Sequence, residues 1–482
     1  MYTPTLEEVR RLSDQGNMIP VSREIEVNSE TPISVYLKVA RAPYSFLLES
    51  VEGGERIARY SFIGTEPSSV IKTGSGQEHE SVDPLGLVQE ALSQSKVIPI
   101  PNIPRFVGGA VGYISYDAVK YFEKLPSFKT DNLGLPESVF MIATTFLVFD
   151  HLRKRITVVS HADLNGDVES GYKDAVSRID ELVQRLAGPF QDPDQQLLSK
   201  DHHTVPSSVA SNMPRKEYEE MVNKVKDYVV AGDVIQTVVS QRFSRPVRAN
   251  PLDVYRSLRN VNPSPYMFLL ELGDFHLVGA SPEMLVRCVD GNIDYHPIAG
   301  TLPRGSNKEE DALFENRLKN DEKERAEHIM LVDLGRNDVG RVSEPGSVKV
   351  TELMEIERYS HVMHLVSHIT GKLKSEYTNY DLLRACFPAG TVAGAPKIRA
   401  MEIIAELEPD ARGPYAGAVG YFDLMGNMDT AIAIRTMVLK DGMAYVQAGG
   451  GIVYDSKPES EYQETVHKAS AVLRAIEIAE GI

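Results

Sequence analysis

An α+β protein is predicted, on three observations. Before residue 187 the chain carries short β-rich runs separated by Gly, Pro, Asn and Asp turns. A helical apolar period closes that stretch, and beyond a Pro-containing break long helical patterns alternate with strands. The 482 residues allow two or three domains, and 42 % apolar with 25 % charged residues is an ordinary globular composition.

Residues 140–149 (FMIATTFLVF) and 155–159 (RITVV) read as strands. Over 167–186, Val168, Tyr172, Ala175, Val176, Ile179, Leu182 and Val183 keep a helical period, which stops at Gly188-Pro189. The next stretch, 187–215, holds four Pro among scattered Ser, Asp, Gln and His and reads as a linker. The predicted organisation is therefore a sheet-rich domain 1–187, a linker 188–214 and a second domain 215–482. In the second domain, 216–231 is a helix stopped at Gly232, and 234–243, 267–272 and 275–279 are strands. Residues 308–334 read as one long charged helix, 379–386 as a short one, and 397–407 as a helix led by Ala395-Pro396. Residues 456–480 form the last helix. A short echo, GAVGY at 109–113 and again at 417–421, is compatible with two related sheets.

Composition removes several function classes. A net charge of −17 argues against nucleic-acid or anionic-membrane partners, which recruit Lys and Arg clusters. Two cysteines exclude a disulfide framework and any Cys-rich metal site. No run of 18 apolar residues suits a membrane span, and residues 1–16 mix both charges without an apolar stretch, so a cytoplasmic protein is expected. The chain has 21 Tyr and 15 Phe but no Trp.

Three constellations could carry chemistry. Glu324 and Glu327 lie three apart in DEKERAEH, and Glu461 and Glu464 three apart in PESEYQET. On a helix each pair shares a face, and all-oxygen ligation suits Mg²⁺; solvated helix faces are the ordinary alternative. QAGGGI at 447–452 places three glycines after an apolar run, permitting positive φ and close backbone approach to an anion. Arg435, inside the strand-like run 430–439, needs a partner. Third, His361, His364 and His368 stand in SHVMHLVSH, but that run is β-rich, so one histidine in a cleft is favoured over a zinc site. Neither Cys288 nor Cys386 sits in a nucleophile elbow, so no glutaminase or hydrolase nucleophile is evident.

Several blocks carry a resemblance: PIAGTLPRG at 297–305, HIMLVDLGRNDVGR at 328–341, residues 360–373, FPAGTVAGAPKIRAMEII within 384–407, residues 413–435 and residues 446–470. Residues 46–53, 58–64 and 106–123 add matches in the first half. Together they resemble the chorismate-utilising enzymes, the anthranilate synthase large components in particular. The resemblance implies two large packed β-sheets flanked by helices. It implies Mg²⁺-dependent amination of chorismate by ammonia to aminodeoxyisochorismate, then pyruvate elimination to anthranilate, the first step of tryptophan biosynthesis. The alternative within the family is an aminodeoxychorismate synthase component I of the folate pathway.

Roles follow position by position from the resemblance. Glu324, Glu327, Glu461 and Glu464 fall on its Mg²⁺ site, with Glu327 and Glu464 the expected direct ligands. Thr391, Tyr415, Arg435, Gly449, Gly451 and Lys468 match the substrate site, Glu283 in GASPEM the general acid, and His364 a further catalytic position. Gln236 stands where isochorismate-forming members place a water-activating Lys, and Ala299 replaces the Lys of the PIKGT found in aminodeoxychorismate synthases. Both favour ammonia as nucleophile and anthranilate as product. Glu49 and Ser50, with Asn262, Pro265, Tyr266 and Met267, match a regulatory tryptophan site and imply feedback inhibition. The implied partner is a glutamine amidotransferase subunit, in a heterotetramer of two large and two small chains. A non-catalytic chorismate- or tryptophan-binding protein on this fold would lack Glu283, Glu324, Glu327 or His364, and all four are present.

Overall fold

The computed structural model describes residues 1–27, 29–51, 59–101, 106–126, 129, 131–188, 208–359 and 362–481. Most of the expected linker, His361, and Glu52, Gly53 and Ala58 of the family blocks lie outside the described residues.

Among the described residues the strands form two large sheets of antiparallel ladders, of 12 and 10 strands. Strands from both sides of 188–214 pair in each sheet. In the larger sheet Tyr44–Glu49 pairs with Tyr266–Leu272, and in the smaller one Gly109–Ile114 pairs with Ala418–Asp423. Those last two strands are the GAVGY echo, lying side by side with Gly112 opposite Gly420.

The sheets pack face to face, and helices cover both outer faces. Side chains alternate across a strand, so one strand feeds two cores. Phe46 points into the layer between the sheets with Phe106, Tyr113, Phe268 and Tyr421, while Leu47 joins the outer core under Val168–Ala187, Pro251–Val261 and Pro458–Ala479. The other outer core lies under Pro84–Ser93, Asn379–Cys386 and Lys397–Leu407. Burial on both faces explains why the strands read as continuous apolar runs, such as 46–48 and 267–270, without polar alternation. Aromatic rings pack together in the layer between the sheets: the Phe106 ring sits 4.8 Å from that of Tyr421 and 4.9 Å from that of Phe146. Each such ring contributes roughly 1.5–3 kcal/mol by burial.

Three elements differ from the sequence reading. The long charged helix is two, Lys308–Asn320 and Glu322–Gly340. Asp321 takes an extended conformation between them, and its carboxylate accepts from the N–H groups of Lys323 and Glu324. An N-cap there satisfies orphan donors that would otherwise go unpaired, so a second helix starts. The run 430–439 is also two strands: Met428–Ile432 belongs to the smaller sheet and Thr436–Lys440 to the larger. Similarly, 140–149 divides into Ser138–Ala143 in the smaller sheet and Thr145–Asp150 in the larger. No helix of the described residues is long and apolar enough to cross a membrane.

Candidate active site

The site lies where the chain passes from one sheet to the other. One passage runs from Phe275–Ser281 to Met284–Val289 and carries Glu283; a second runs from Met428–Ile432 to Thr436–Lys440 and carries Arg435. Main-chain bonds lock them together, Ile432 N–H to Glu283 C=O at 3.1 Å and Ala280 N–H to Arg435 C=O at 3.1 Å. Arg435 has φ of +51°, a left-handed conformation costing a non-glycine residue about 1–3 kcal/mol. That turn aims the guanidinium into the seam.

A cavity of about 200 Å³ opens there, and its lining includes Glu283, Thr301, His364, Thr391, Tyr415, Arg435, Gly449 and Lys468. Of the residues expected at the substrate site, only Gly451 is not in that lining. Burial raises the Glu283 carboxyl to about 8, opposed by the Thr391 hydroxyl and the Ile298 N–H. At neutral pH it is therefore a neutral proton donor. Tyr415 is pushed up to about 12 by burial and stays a phenol. Arg435 donates to the Lys468 carbonyl at 3.0 Å, and the Lys468 ammonium donates to the Gly449 carbonyl at 2.9 Å. Two cations thus face a cavity whose acid is uncharged, which suits a dianionic ligand. His364 Nδ1 lies 3.0 Å from the Thr301 hydroxyl and 3.2 Å from the Gly300 carbonyl, with its ring edge-on to Tyr359.

The three glycines act through size. None of Gly449, Gly450 and Gly451 has positive φ, so the permissive backbone expected from the sequence is not their use. A Cβ at Gly449 would lie 2.8 Å from the Tyr415 hydroxyl, at Gly450 3.2 Å from Glu461 Oε2, and at Gly451 2.3 Å from Gln236 Nε2. Each glycine makes room for a different site residue: on the extended strand Met443–Ile452, Gly449 and Gly451 share one face and Gly450 takes the other.

The carboxylate pairs come from two separate helices. Glu324 and Glu327 stand on Glu322–Gly340, Glu461 and Glu464 on Pro458–Ala479. Glu324 is raised first by burial and then by the negative charges of Glu327, Asp321 and Glu464. Burial likewise raises Glu461, with the charge of Glu464 adding to it. Glu327 accepts from Gln236 Nε2 at 2.9 Å, and Glu464 pairs with Lys468 at 2.6 Å. Among the described residues no three of His, Cys, Asp and Glu stand close enough to hold a metal ion. The donors are hard oxygens in mutual repulsion, a set whose chemistry suits Mg²⁺.

The two segments expected to form a tryptophan site also meet. Glu49 and Met267 are register partners on adjacent strands, and Val51 N–H reaches the Ser264 carbonyl at 3.2 Å. Glu49 is buried, accepts from the Tyr255 hydroxyl, and lies 3.4 Å from Arg259 Nε. Tyr266 donates to Asp429 at 3.0 Å. Sequence reading did not assign Thr301 or Gln447 to the cavity, although the family block at 297–305 contains the first and both QAGGGI and the block at 446–470 contain the second.

The chorismate binding enzymes match residues 43–474 of the chain. An anthranilate synthase component 1 from Acetivibrio thermocellus is 47 % identical over 491 residues, covering 99 % of both chains. Another from Pseudomonas aeruginosa is 49 % identical, covering 98 % of this chain and 99 % of that one. The crystal structure of anthranilate synthase component I from Streptococcus pneumoniae TIGR4 superposes with a TM-score of 0.77 at 42 % identity, over 86 % of this chain and 92 % of that one.

Proposed function

The chain belongs to the chorismate-binding enzymes, among the anthranilate synthase component 1 proteins, and from that premise we propose that it converts chorismate and ammonia to anthranilate. It is an enzyme acting on chorismate. The supporting observation is the cavity itself, where a neutral Glu283 faces Arg435 and Lys468 within one wall.

In the proposed reaction the two cations and Tyr415 hold the carboxylates of chorismate. Ammonia forms the new C–N bond as the ring C–O bond breaks, and Glu283 protonates the departing hydroxyl, which leaves as water. The product of this step is aminodeoxyisochorismate. Loss of a ring proton with the enolpyruvyl group then releases pyruvate and aromatises the ring, with His364 the base within reach. Glu324, Glu327, Glu461 and Glu464 would hold Mg²⁺, which supplies neutralisation of the ring carboxylate. Ala299 lies in the cavity wall and offers no amine at that position to compete with ammonia, and Gln236 is an amide that cannot deprotonate water. These two positions favour anthranilate over aminodeoxychorismate or isochorismate.

The relatives' name, component 1, supports a partner component; we assign it as a glutamine amidotransferase supplying ammonia, in a two-plus-two assembly in the cytoplasm. Tryptophan binding at Glu49, Ser50 and 262–267 would feed back on the cavity. The test is chemical: the chain with chorismate, Mg²⁺ and ammonium should yield the blue fluorescence of anthranilate. Isochorismate or aminodeoxychorismate as the only product would overturn the reading.

A further inference from the structure

Behind the cavity wall lies a buried ion pair with no role in the chemistry above. Arg412 is among the largest fully buried side chains. Its guanidinium bonds the Glu408 carboxylate at 2.6 and 2.9 Å, the Val392 carbonyl at 2.8 Å and the Val238 carbonyl at 2.8 Å. It also lies over two rings, 4.5 Å from the centroid of Tyr116 and 5.6 Å from that of Tyr415. Glu408 in turn accepts from the N–H and hydroxyl of Ser240, both at 2.8 Å, and Gln447 donates to that hydroxyl at 2.8 Å.

Val238, Val392, Tyr415 and Gln447 all line the cavity, yet they come from four different chain segments. One fork of donors therefore ties the strand Gln236–Pro246, the turn Gly390–Ala393 that bears Thr391, and the Tyr415 ring into one frame. A buried ion pair is a poor device for stability, since apolar residues of similar volume do as well or better. Its planar fork is a good device for fixing directions. We infer that Arg412, held by Glu408, is a positioning residue that sets the Tyr415 ring and the Thr391 turn against the Gly449 floor for chorismate binding.

The inference rests on the chorismate reading of the cavity, and the test separates the two. Chorismate affinity is measured by equilibrium dialysis, with kcat and KM in ammonium, for the wild type, Arg412→Lys, Tyr415→Phe and the double variant. Arg412→Lys keeps the charge and loses the fork. It should weaken chorismate binding and raise KM about tenfold with the circular dichroism spectrum retained. In the Tyr415→Phe background the same substitution should change both by a clearly smaller factor, the remainder coming through the Thr391 turn, because coupled residues are not additive. Equal factors in both backgrounds, or no change in either, overturn the inference and leave Arg412 a core residue. Should Arg412→Lys fail to fold, the isosteric Glu408→Gln in both backgrounds reads the same coupling. A wild type that does not bind chorismate sinks the functional reading instead.

Discussion

The two halves of the site are built differently. The anion-facing wall is assembled by the fold: Arg435, Lys468 and Gly449 are linked in series by bonds to main-chain carbonyls, and Glu283 is locked to the second passage between the sheets. The carboxylate rim is not. Its four glutamates stand on two helices, two of them are engaged with Gln236 and Lys468, and burial together with mutual repulsion raises Glu324 and Glu461. Like charges at close range oppose convergence unless a cation intervenes. The wall is tied together by its own bonds, and the four carboxylates, which we propose hold Mg²⁺, are not.

Substitutions should sort along that division. The largest effect is expected at Glu283→Gln in the wall, where losing a general acid lowers kcat by about 10²–10⁴-fold with KM for chorismate little changed. In the rim, Glu464→Gln should lower turnover roughly a hundredfold at limiting Mg²⁺, and raised Mg²⁺ should recover part of it while tryptophan binding persists. A rim loss insensitive to Mg²⁺ would erase the distinction. The Glu283 carboxyl is protonated below about 8 and ionised above it. At fixed free ammonia kcat/KM for chorismate should therefore fall about tenfold per pH unit above that point, a limb absent from Glu283→Gln. Gly449→Ala brings a methyl within 2.8 Å of the Tyr415 hydroxyl and should raise KM several-fold, about 1 kcal/mol, with no recovery by Mg²⁺. Smallest in turnover is Ser50→Phe, which should relieve inhibition by tryptophan while changing uninhibited kcat by less than about twofold.

Part of the wall was legible in sequence: Glu283, Tyr415, Arg435 and Lys468, which the resemblance groups at one site, line one cavity. The geometry was not legible. Arg435 reads as a charge inside a strand, and only the sheet topology shows that the strand ends there and the chain changes sheets. The glycine triplet announces close approach but not its object, since Tyr415, Glu461 and Gln236 come from three distant segments. Asp321 ends one helix and caps the next, a competition that charge periodicity through 308–334 conceals. Arg412 escaped notice altogether, because a lone charge beside Gly413-Pro414 reads as a turn until its partner Glu408 is seen four residues back in the same buried frame. The missing Trp fits a proposed role at the head of tryptophan synthesis, and it leaves added tryptophan as the only indole in a binding titration.

The division between wall and rim is tested most directly by calorimetric titration of Mg²⁺ into the chain with and without saturating chorismate, in the absence of ammonia. A rim completed by the substrate binds Mg²⁺ at least about tenfold more tightly when chorismate is present, and by reciprocity chorismate binds more tightly with Mg²⁺. Equal Mg²⁺ affinity in both titrations would contradict it.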